Sequence, residues 1–130
     1  MPPSLPTDVR YDPSAVRQGL PYRKLNHLVA ALGLTLAEAA GLLLVSERTL
    51  ARRHAEGRLT QAESDRLVRL ERLVSDTVDA FDGHETEARE WLTTPKALLG
   101  GETPLRHADT EPGLQAVRQM LAVIQHNVAA

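Results

Sequence analysis

The sequence predicts an all-α protein, and two features of its 130 residues support that fold class. Leu and Ala supply 38 residues whereas the β-branched Val and Ile supply only 11, a composition that favours helices over strands. Apolar residues recur at spacings of three and four along several segments, and no segment alternates apolar and polar residues long enough to predict a strand. The length allows one domain, or two small ones that share a core.

The first 21 residues are expected to form an irregular or mobile arm. Proline fixes the backbone angle φ and removes a hydrogen-bond donor, and five of the eight prolines lie in this segment: Pro2, Pro3, Pro6, Pro13 and Pro21. The first helix is predicted to begin near Tyr22 and to end at Gly33, because its apolar residues repeat at helical spacing. Those residues are Leu25, Leu28, Val29 and Leu32.

Two short capped helices are predicted next, and they complete a helix-turn-helix domain over residues 22–59. Thr35 begins the first of them, since Glu38 three residues later completes a capping box, and that helix runs to about Leu43. Ser46 caps the second, which continues to Ala55. A tight turn between two such helices is the layout of a DNA-binding helix-turn-helix.

The second helix of this motif carries the candidate DNA-binding residues. In a helix-turn-helix it enters the major groove with its first residues at the base edges. Leu50 is predicted to face inward while Arg48 and Arg52 face outward, and arginine can bond guanine edges or phosphate. The candidate set is Ser46, Glu47, Arg48, Thr49, Arg52 and Arg53. The alternative is a small helical bundle with a solvated charged face. Leu44 departs from the motif, because glycine often fills its turn position.

A long helix is predicted to follow and to connect the two ends of the chain over residues 60–82. Thr60 and Glu63 form a second capping box, and Gly83 closes the helix. Its apolar stripe consists of Leu67, Leu70, Val74, Val78 and Phe81.

Shorter elements are predicted in the last region, residues 83–130. A short helix runs from Glu85 to Leu92. Residues 94–101 cannot be regular helix throughout, because they hold a proline and paired glycines. Thr103 and Thr110 are predicted to cap the two remaining helices, the last with a stripe of Leu114, Val117, Leu121, Ile124 and Val128. Trp91 is interpreted as a packing residue.

The charge distribution suggests two surfaces with different partners. Residues 1–60 carry eight basic and five acidic side chains, and residues 61–130 carry seven and twelve. The basic excess of residues 1–60 fits an anionic partner, and the acidic excess of residues 61–130 fits a cationic one. The alternative is that each charged segment is a solvated face. Because the basic excess is modest, we expect DNA affinity to depend on a homodimer that binds half-sites ~34 Å apart.

Several classes of function are disfavoured by residues that the sequence lacks. Without cysteine there is no disulfide, thiolate nucleophile or cysteine metal site. The chain shows no P-loop, no Gly-x-Gly-x-x-Gly and no signal peptide, and its apolar runs are too short to span a bilayer. His84 to Glu87 could supply metal ligands, but the sequence has no further ligands at a suitable spacing from them. We therefore expect a cytoplasmic protein that is not an enzyme and uses no cofactor, metal or membrane.

Five motifs within residues 35–130 follow the order and spacing of one known family. They are VSERTL at 45–50, GRLTQAESDRL at 57–67, AREWLTTP at 88–95, LGGETPL at 99–105 and TEPG at 110–113. On these motifs the chain resembles the Xre/MbcA/ParS antitoxins, the partners of RES-domain toxins. The resemblance implies an all-α fold with a helix-turn-helix domain followed by a small toxin-binding domain, here residues 83–130.

The resemblance also implies a function and a second set of site residues. Members of the family neutralise a toxin that consumes NAD, place the chain end at its active site, and in many cases repress their own operon. The implied partners are a RES-domain toxin and operator DNA, with a homodimer inside a larger hetero-oligomer. The candidate toxin-binding residues are Leu98, Leu99, Gly100, Gly101, Leu105, Gln125, His126, Asn127, Val128, Ala129 and Ala130. Relatives often have glycine where Asn127 stands and an aromatic residue near Ala129.

Two other functions remain open at the level of sequence. The chain could be a free-standing dimeric transcriptional regulator whose last region only dimerises. It could also be a ParS-like interaction protein that does not bind DNA. Leu98, Leu99 and Leu105 flank an irregular loop that cannot bury all of its own backbone, and apolar loop residues of this kind favour a partner surface. The alternative is that these leucines fill the core.

Overall fold

The computed structural model describes the backbone of residues 2–129 and the side chains of residues 2–126. Over this part of the chain it is all-α, without a β-strand. The helices are α1 (Pro13–Gln18), α2 (Tyr22–Leu32), α3 (Leu36–Leu43), α4 (Glu47–Glu56), α5 (Gln61–Ala80), α6 (Glu85–Thr93), α7 (Pro104–His107) and α8 (Glu111–Ala129). A 3₁₀ turn, Ala97–Leu99, lies between α6 and α7.

The helix starts follow the local chemistry of the sequence. Both predicted capping boxes are present, Thr35 with Glu38 at α3 and Thr60 with Glu63 at α5. In each, the threonine oxygen accepts a backbone N–H that has no partner within the helix, and the glutamate returns the bond. Ser46 caps α4 as predicted. The long helix α5 ends at Ala80, before Gly83, and the N–H of Gly83 bonds the carbonyl of Val78 at 2.9 Å.

The expectation of an irregular segment over residues 1–21 is wrong for residues 13–18, which form α1. Proline at the first helical position costs nothing, since that N–H has no helical partner anyway, and Asp12 caps the helix. Gly19 ends it with φ +94°, and a Cβ there would lie 2.1 Å from the carbonyl oxygen of Leu59. The close approach of two backbones therefore requires glycine at this position.

Residues 2–12 contain no helix but are packed against the rest of the molecule. Leu5 is buried, and its N–H donates to the carboxylate of Glu85. The hydroxyl of Tyr11 donates to Glu71 at 2.8 Å, while burial raises the pKa of both groups. The arm is thus anchored by one apolar side chain and by two acceptors, on α5 and α6.

One continuous core joins the early and late helices. Helix α5 packs against α1, α3, α6 and α8, so its apolar residues contact both ends of the chain. Leu43, Leu50, Leu73, Leu92 and Val117 are completely buried although they come from five different helices. Because the core is shared, the helix-turn-helix is held in a fixed position relative to the helices that follow it.

Candidate functional site

The turn between α3 and α4 is closed by Leu44. Its backbone is left-handed, with φ 59° and ψ 39°, a conformation that costs a residue other than glycine about 1–2 kcal/mol. The N–H of Leu44 donates to the carbonyl of Gly41 at 3.2 Å, and that of Val45 to the carbonyl of Ala40 at 3.0 Å. Leu44 thus takes the conformation for which glycine is usual, and the departure from the motif leaves the turn intact.

The outer face of α4, which we call the recognition surface, consists of Arg48, Ala51 and Arg52. All three are exposed, whereas Leu50 on the opposite face is completely buried. Arg52 Nε lies 3.9 Å from Glu56 Oε1, a loose pair on the surface that holds the arginine weakly. The two guanidinium groups can therefore turn toward an anionic partner.

The start of α4 carries Glu47 and two hydroxyl groups. Glu47 is exposed in the first turn, where a carboxylate favours the helix dipole. Ser46 Oγ accepts the N–H of Thr49 at 3.0 Å and donates its proton to Thr49 Oγ1 at 3.0 Å. In this arrangement the hydroxyl of Thr49 keeps a proton for an external acceptor, whereas that of Ser46 is occupied by the cap.

Arg53, a predicted DNA-binding residue, is turned inward and paired with an acid, which leaves it little surface for DNA. Its Nε lies 2.8 Å from Glu63 Oε1 and 3.1 Å from Oε2, and only 15% of its side chain is exposed. Burial alone would raise the pKa of Glu63, but hydrogen bonds from Arg53 and from the N–H of Thr60 lower it below its ordinary value. This ion pair fixes α4 on α5.

The far end of α4 is held by the segment before α2. The N–H of Tyr22 donates to the carbonyl of Gly57 at 3.0 Å, and the N–H of Leu59 to that of Leu20 at 2.9 Å. The ring of Tyr22 stacks on His54 with the ring centroids 4.7 Å apart. No sequence motif predicts these contacts, which join residues 32 to 39 positions apart.

Residues 96–102, which we call the Leu98 loop, form a closed loop between α6 and α7. The N–H of Lys96 donates to the carbonyl of Glu102 at 3.0 Å, and that of Gly101 returns to the carbonyl of Lys96 at 2.9 Å. Leu98 is 85% exposed at its tip. Because backbone bonds fix the loop, a partner that takes up this leucine does not have to order it.

Two of the predicted toxin-binding leucines belong to the core, which leaves them little surface for a partner. Leu99 is 5% and Leu105 2% exposed, and both pack in the buried cluster. Gly100 and Gly101 are exposed with φ 67° and 86°, and they turn the loop back. Sequence patterning cannot separate adjacent leucines in a loop, since a loop has no period that tells inside from outside.

Trp91 packs from α6 beneath the same loop. Trp91 is half-buried, and its ring centroid lies 6.2 Å from that of Phe81. Lys96 Nζ lies 5.4 Å from the centroid of the Trp91 ring. This agrees with the interpretation of Trp91 as a packing residue. This contact between the ammonium group and the indole ring ties the start of the Leu98 loop to α6.

A groove of about 350 Å³ separates α3 from the Leu98 loop. Ala37, Gly41 and Leu42 line one side, and Gly101 and Leu105 the other. The groove therefore lies where the helix-turn-helix meets the loop, and it has room for an apolar side chain.

The last helix carries the remaining predicted site residues. Gln125 and His126 are exposed on α8. The side chains of Asn127, Val128 and Ala129, and all of Ala130, lie outside the described residues. Among the described residues no three His, Cys, Asp or Glu side chains come together as a metal site. None of the described helices has the length and apolar character that a membrane span requires.

Two family models match adjacent parts of this chain. The "Antitoxin Xre-like helix-turn-helix domain" matches residues 13–72, and the "Antitoxin Xre/MbcA/ParS C-terminal toxin-binding domain" matches residues 72–126. The first includes α1 to α4 and the second includes the Leu98 loop. The helix-turn-helix fold and these matches show that the chain belongs to the Xre/MbcA/ParS antitoxin family.

Curated relatives carry the name "Antitoxin Xre". The chain is 34% identical over 85 residues to one from Yersinia enterocolitica, covering 65% of this chain and 57% of the relative. It is 33% identical over 75 residues to one from Photorhabdus laumondii, covering 58% and 51%. A third, from Pseudomonas putida, is 36% identical over 66 residues, covering 51% and 41%. The chain thus spans about half the length of these relatives.

Proposed function

We propose that this protein is an antitoxin that binds and neutralises a RES-type, NAD-consuming toxin and represses its own operon. The observation that carries the proposal is Leu98, an 85% exposed leucine on a loop fixed by backbone bonds. The loop lies in the domain whose family model is described as toxin-binding. An exposed apolar side chain on a rigid loop is a typical anchor for a partner protein.

The toxin-binding surface in this proposal combines the Leu98 loop with the end of α8. Leu98, Gly100 and Gly101 supply the exposed apolar tip and the backbone around it. Gln125 and His126 lead from α8 into the chain end, which obstructs the toxin's active site. The acidic excess of residues 61–130 favours a cationic toxin surface, and it affects association rate more than affinity.

The DNA-binding half of the proposal rests on the recognition surface. An α4 with a buried Leu50 and an exposed Arg48 and Arg52 is built to lie in a major groove. Two copies of the chain in a homodimer, within a larger hetero-oligomer that includes the toxin, would place two such helices on successive half-sites of an operator. This part of the proposal does not depend on toxin binding.

The proposal is tested by co-expression with the adjacent reading frame. We expect that frame to encode a protein that lowers cellular NAD and stops growth, and this chain to co-purify with it and restore growth. L98D should weaken the complex, because a carboxylate at a buried interface centre is desolvated without a partner. L36D is the matched control, since Leu36 is 48% exposed on α3. A harmless neighbour, or equal protection by L98D and L36D, contradicts the proposal.

Occlusion by the chain end has its own test. A chain that lacks residues 125–130 should still co-purify with the toxin through the Leu98 loop but should no longer protect the cell. Full protection by the truncated chain would refute occlusion and leave simple binding. If the chain binds its operator and no toxic partner exists, the function is that of a free-standing regulator.

A further inference from the structure

A cationic surface lies outside the recognition surface, in the segment before α3. Residues 13–37 contain no Asp or Glu, while they include Arg17 and Arg23. Both arginines are exposed, one on the last turn of α1 and one on the first turn of α2. A stretch of 25 residues without an acid is unusual in a chain with 17 of them.

The fold brings a third arginine to the same place. Arg58 follows the end of α4, and its Nη1 donates to the carbonyl of Gly19 at 2.6 Å. Its backbone forms an isolated antiparallel bridge with Pro21. Gly19 and Pro21 stand between α1 and α2, and Arg17 and Arg23 each lie two positions along the chain from one of these contacts with Arg58, beside the carboxyl end of α4. We therefore group the three exposed residues Arg17, Arg23 and Arg58. We call them the arginine cluster.

The arginine cluster keeps its charge available. Among the described residues none of the three arginines takes part in an ion pair. The acid at this end of α4 is Glu56, which lies 3.9 Å from Arg52 and 3.7 Å from Arg53. A guanidinium has five N–H donors, so the bond from Arg58 to Gly19 leaves most of its donors for another acceptor.

We propose that the arginine cluster binds DNA backbone phosphates beside the groove that α4 enters. This inference rests on the proposed DNA binding and enlarges its footprint beyond the helix-turn-helix. Phosphate contacts fix the register of a protein on the duplex and supply most of its sequence-independent affinity. The cluster is fixed to the end of α4 by backbone bonds, so these contacts would set the angle of the recognition helix.

The test compares the salt dependence of DNA binding for matched double variants of the full chain. R17Q/R23Q removes two charges from the arginine cluster, and R69Q/R72Q removes two from α5 as the control. The probes are a duplex from upstream of the chain's own gene and a random duplex of equal length. Binding to each is measured by fluorescence anisotropy. Each lost contact reduces the magnitude of the slope of log K against log salt by about 0.9. For each bound protomer, R17Q/R23Q should therefore reduce the magnitude of the slope by about 1.8 with both duplexes, roughly 60-fold in affinity at 0.1 M salt, while R69Q/R72Q keeps the original slope.

Three results separate this inference from the function on which it rests. If the unaltered chain binds neither duplex, the proposed DNA binding fails. If it binds and R17Q/R23Q keeps its slope, only the arginine cluster is excluded. A variant that keeps its DNA affinity but loses the toxin would assign the cluster to a protein partner and overturn the inference. Circular dichroism and urea unfolding should show native stability for both variants, because neither Arg17 nor Arg23 is buried.

Discussion

Leu44 shows how one residue can meet a backbone requirement for which it is poorly suited. It holds the left-handed turn of the helix-turn-helix with φ 59°, and its side chain is 51% exposed. The sequence marks this position as a departure from the motif, and only the structure shows that the turn forms regardless. The cost of the conformation is offset by the packing of Leu43 and Leu50, which are buried in the helices on either side.

Replacing Leu44 separates this backbone strain from side-chain packing. L44A and L44G both remove the half-buried side chain, but only glycine adopts a left-handed backbone without strain. We expect L44G to be more stable than L44A by about 1 kcal/mol, measured by urea unfolding. At an ordinary helical position alanine is the more stable of the two by about the same amount. Equal or greater stability of L44A would show that the strain is absent.

Glu63 is a residue at which charge and stability are linked. It accepts from the N–H of Thr60 and from Arg53, and it is 4% exposed. Its folded pKa is lowered from an ordinary 4.5, so the stability it contributes is present above that value and lost as pH falls through the lowered one.

The E63Q variant tests this linkage. Glutamine can keep the capping box, but Arg53 loses its buried counter-charge and keeps only the exposed Glu56 at 3.7 Å. We expect the free energy of unfolding to fall by about 3 kcal/mol at pH 7. The difference in the free energy of unfolding between E63Q and the unaltered chain should become smaller as the pH falls below 4.5. D65N is the control, because the side chain of Asp65 is 65% exposed and pairs loosely with Arg69. If E63Q is less stable by the same amount from pH 7 to pH 3, the charge of Glu63 is not linked to stability.

At the scale of elements, the junction of α7 and α8 depends on Gly113. It is buried in the first turn of α8, where its N–H donates to Thr110 Oγ1 at 3.1 Å. A Cβ on Gly113 would lie 1.9 Å from the carbonyl oxygen of His107. The short helix α7 can therefore fold back onto α8 only if this position has no side chain.

The G113A variant sets helix propensity against packing. Alanine favours an isolated helix by about 1 kcal/mol relative to glycine, but here its methyl group forces α7 away from α8. We expect a net loss of about 2 kcal/mol by thermal or urea unfolding. Q115A, an exposed change in the same helix, should be nearly neutral. A more stable G113A would show that the two helices can separate at no cost.

The elements also show which parts of the fold the sequence could predict. The starts of α3, α4 and α5 follow from three hydroxyl residues and two glutamates, because a cap is a local interaction. Helix α1 departs from the prediction because the prolines of residues 1–21 favour irregular structure, although Asp12 before Pro13 is itself a helix start. The local signal was present in the sequence but was outweighed by composition.

At the scale of the whole molecule, the two proposed surfaces lie on different parts of one rigid core. The recognition surface is on α4, and the Leu98 loop follows α6. Helix α5 packs against both α3 and α6, so the two surfaces are held at a fixed position relative to each other. A change confined to one surface should therefore leave the activity of the other unaltered.

The R48A/R52A variant tests this independence. Operator binding should be lost, and each lost phosphate contact should lower the salt slope by about one, while neutralisation of the toxin continues. Band shift and growth in co-expression are the two measurements. Unchanged operator binding would mean that α4 is not the recognition helix. Loss of protection would mean that the two surfaces are coupled.

The sequence by itself determined the helices after α1, most of their caps, the helix-turn-helix motif and the family, because these depend on neighbours within a few positions and on the order of motifs. Only the tertiary structure decided which residues of each motif face outward. It turned Arg53 toward Glu63, buried Leu99 and Leu105 beside an exposed Leu98, and gathered Arg58 with the arginines of α1 and α2. Burial and ion pairing depend on contacts between residues far apart in the chain, and no local pattern encodes them.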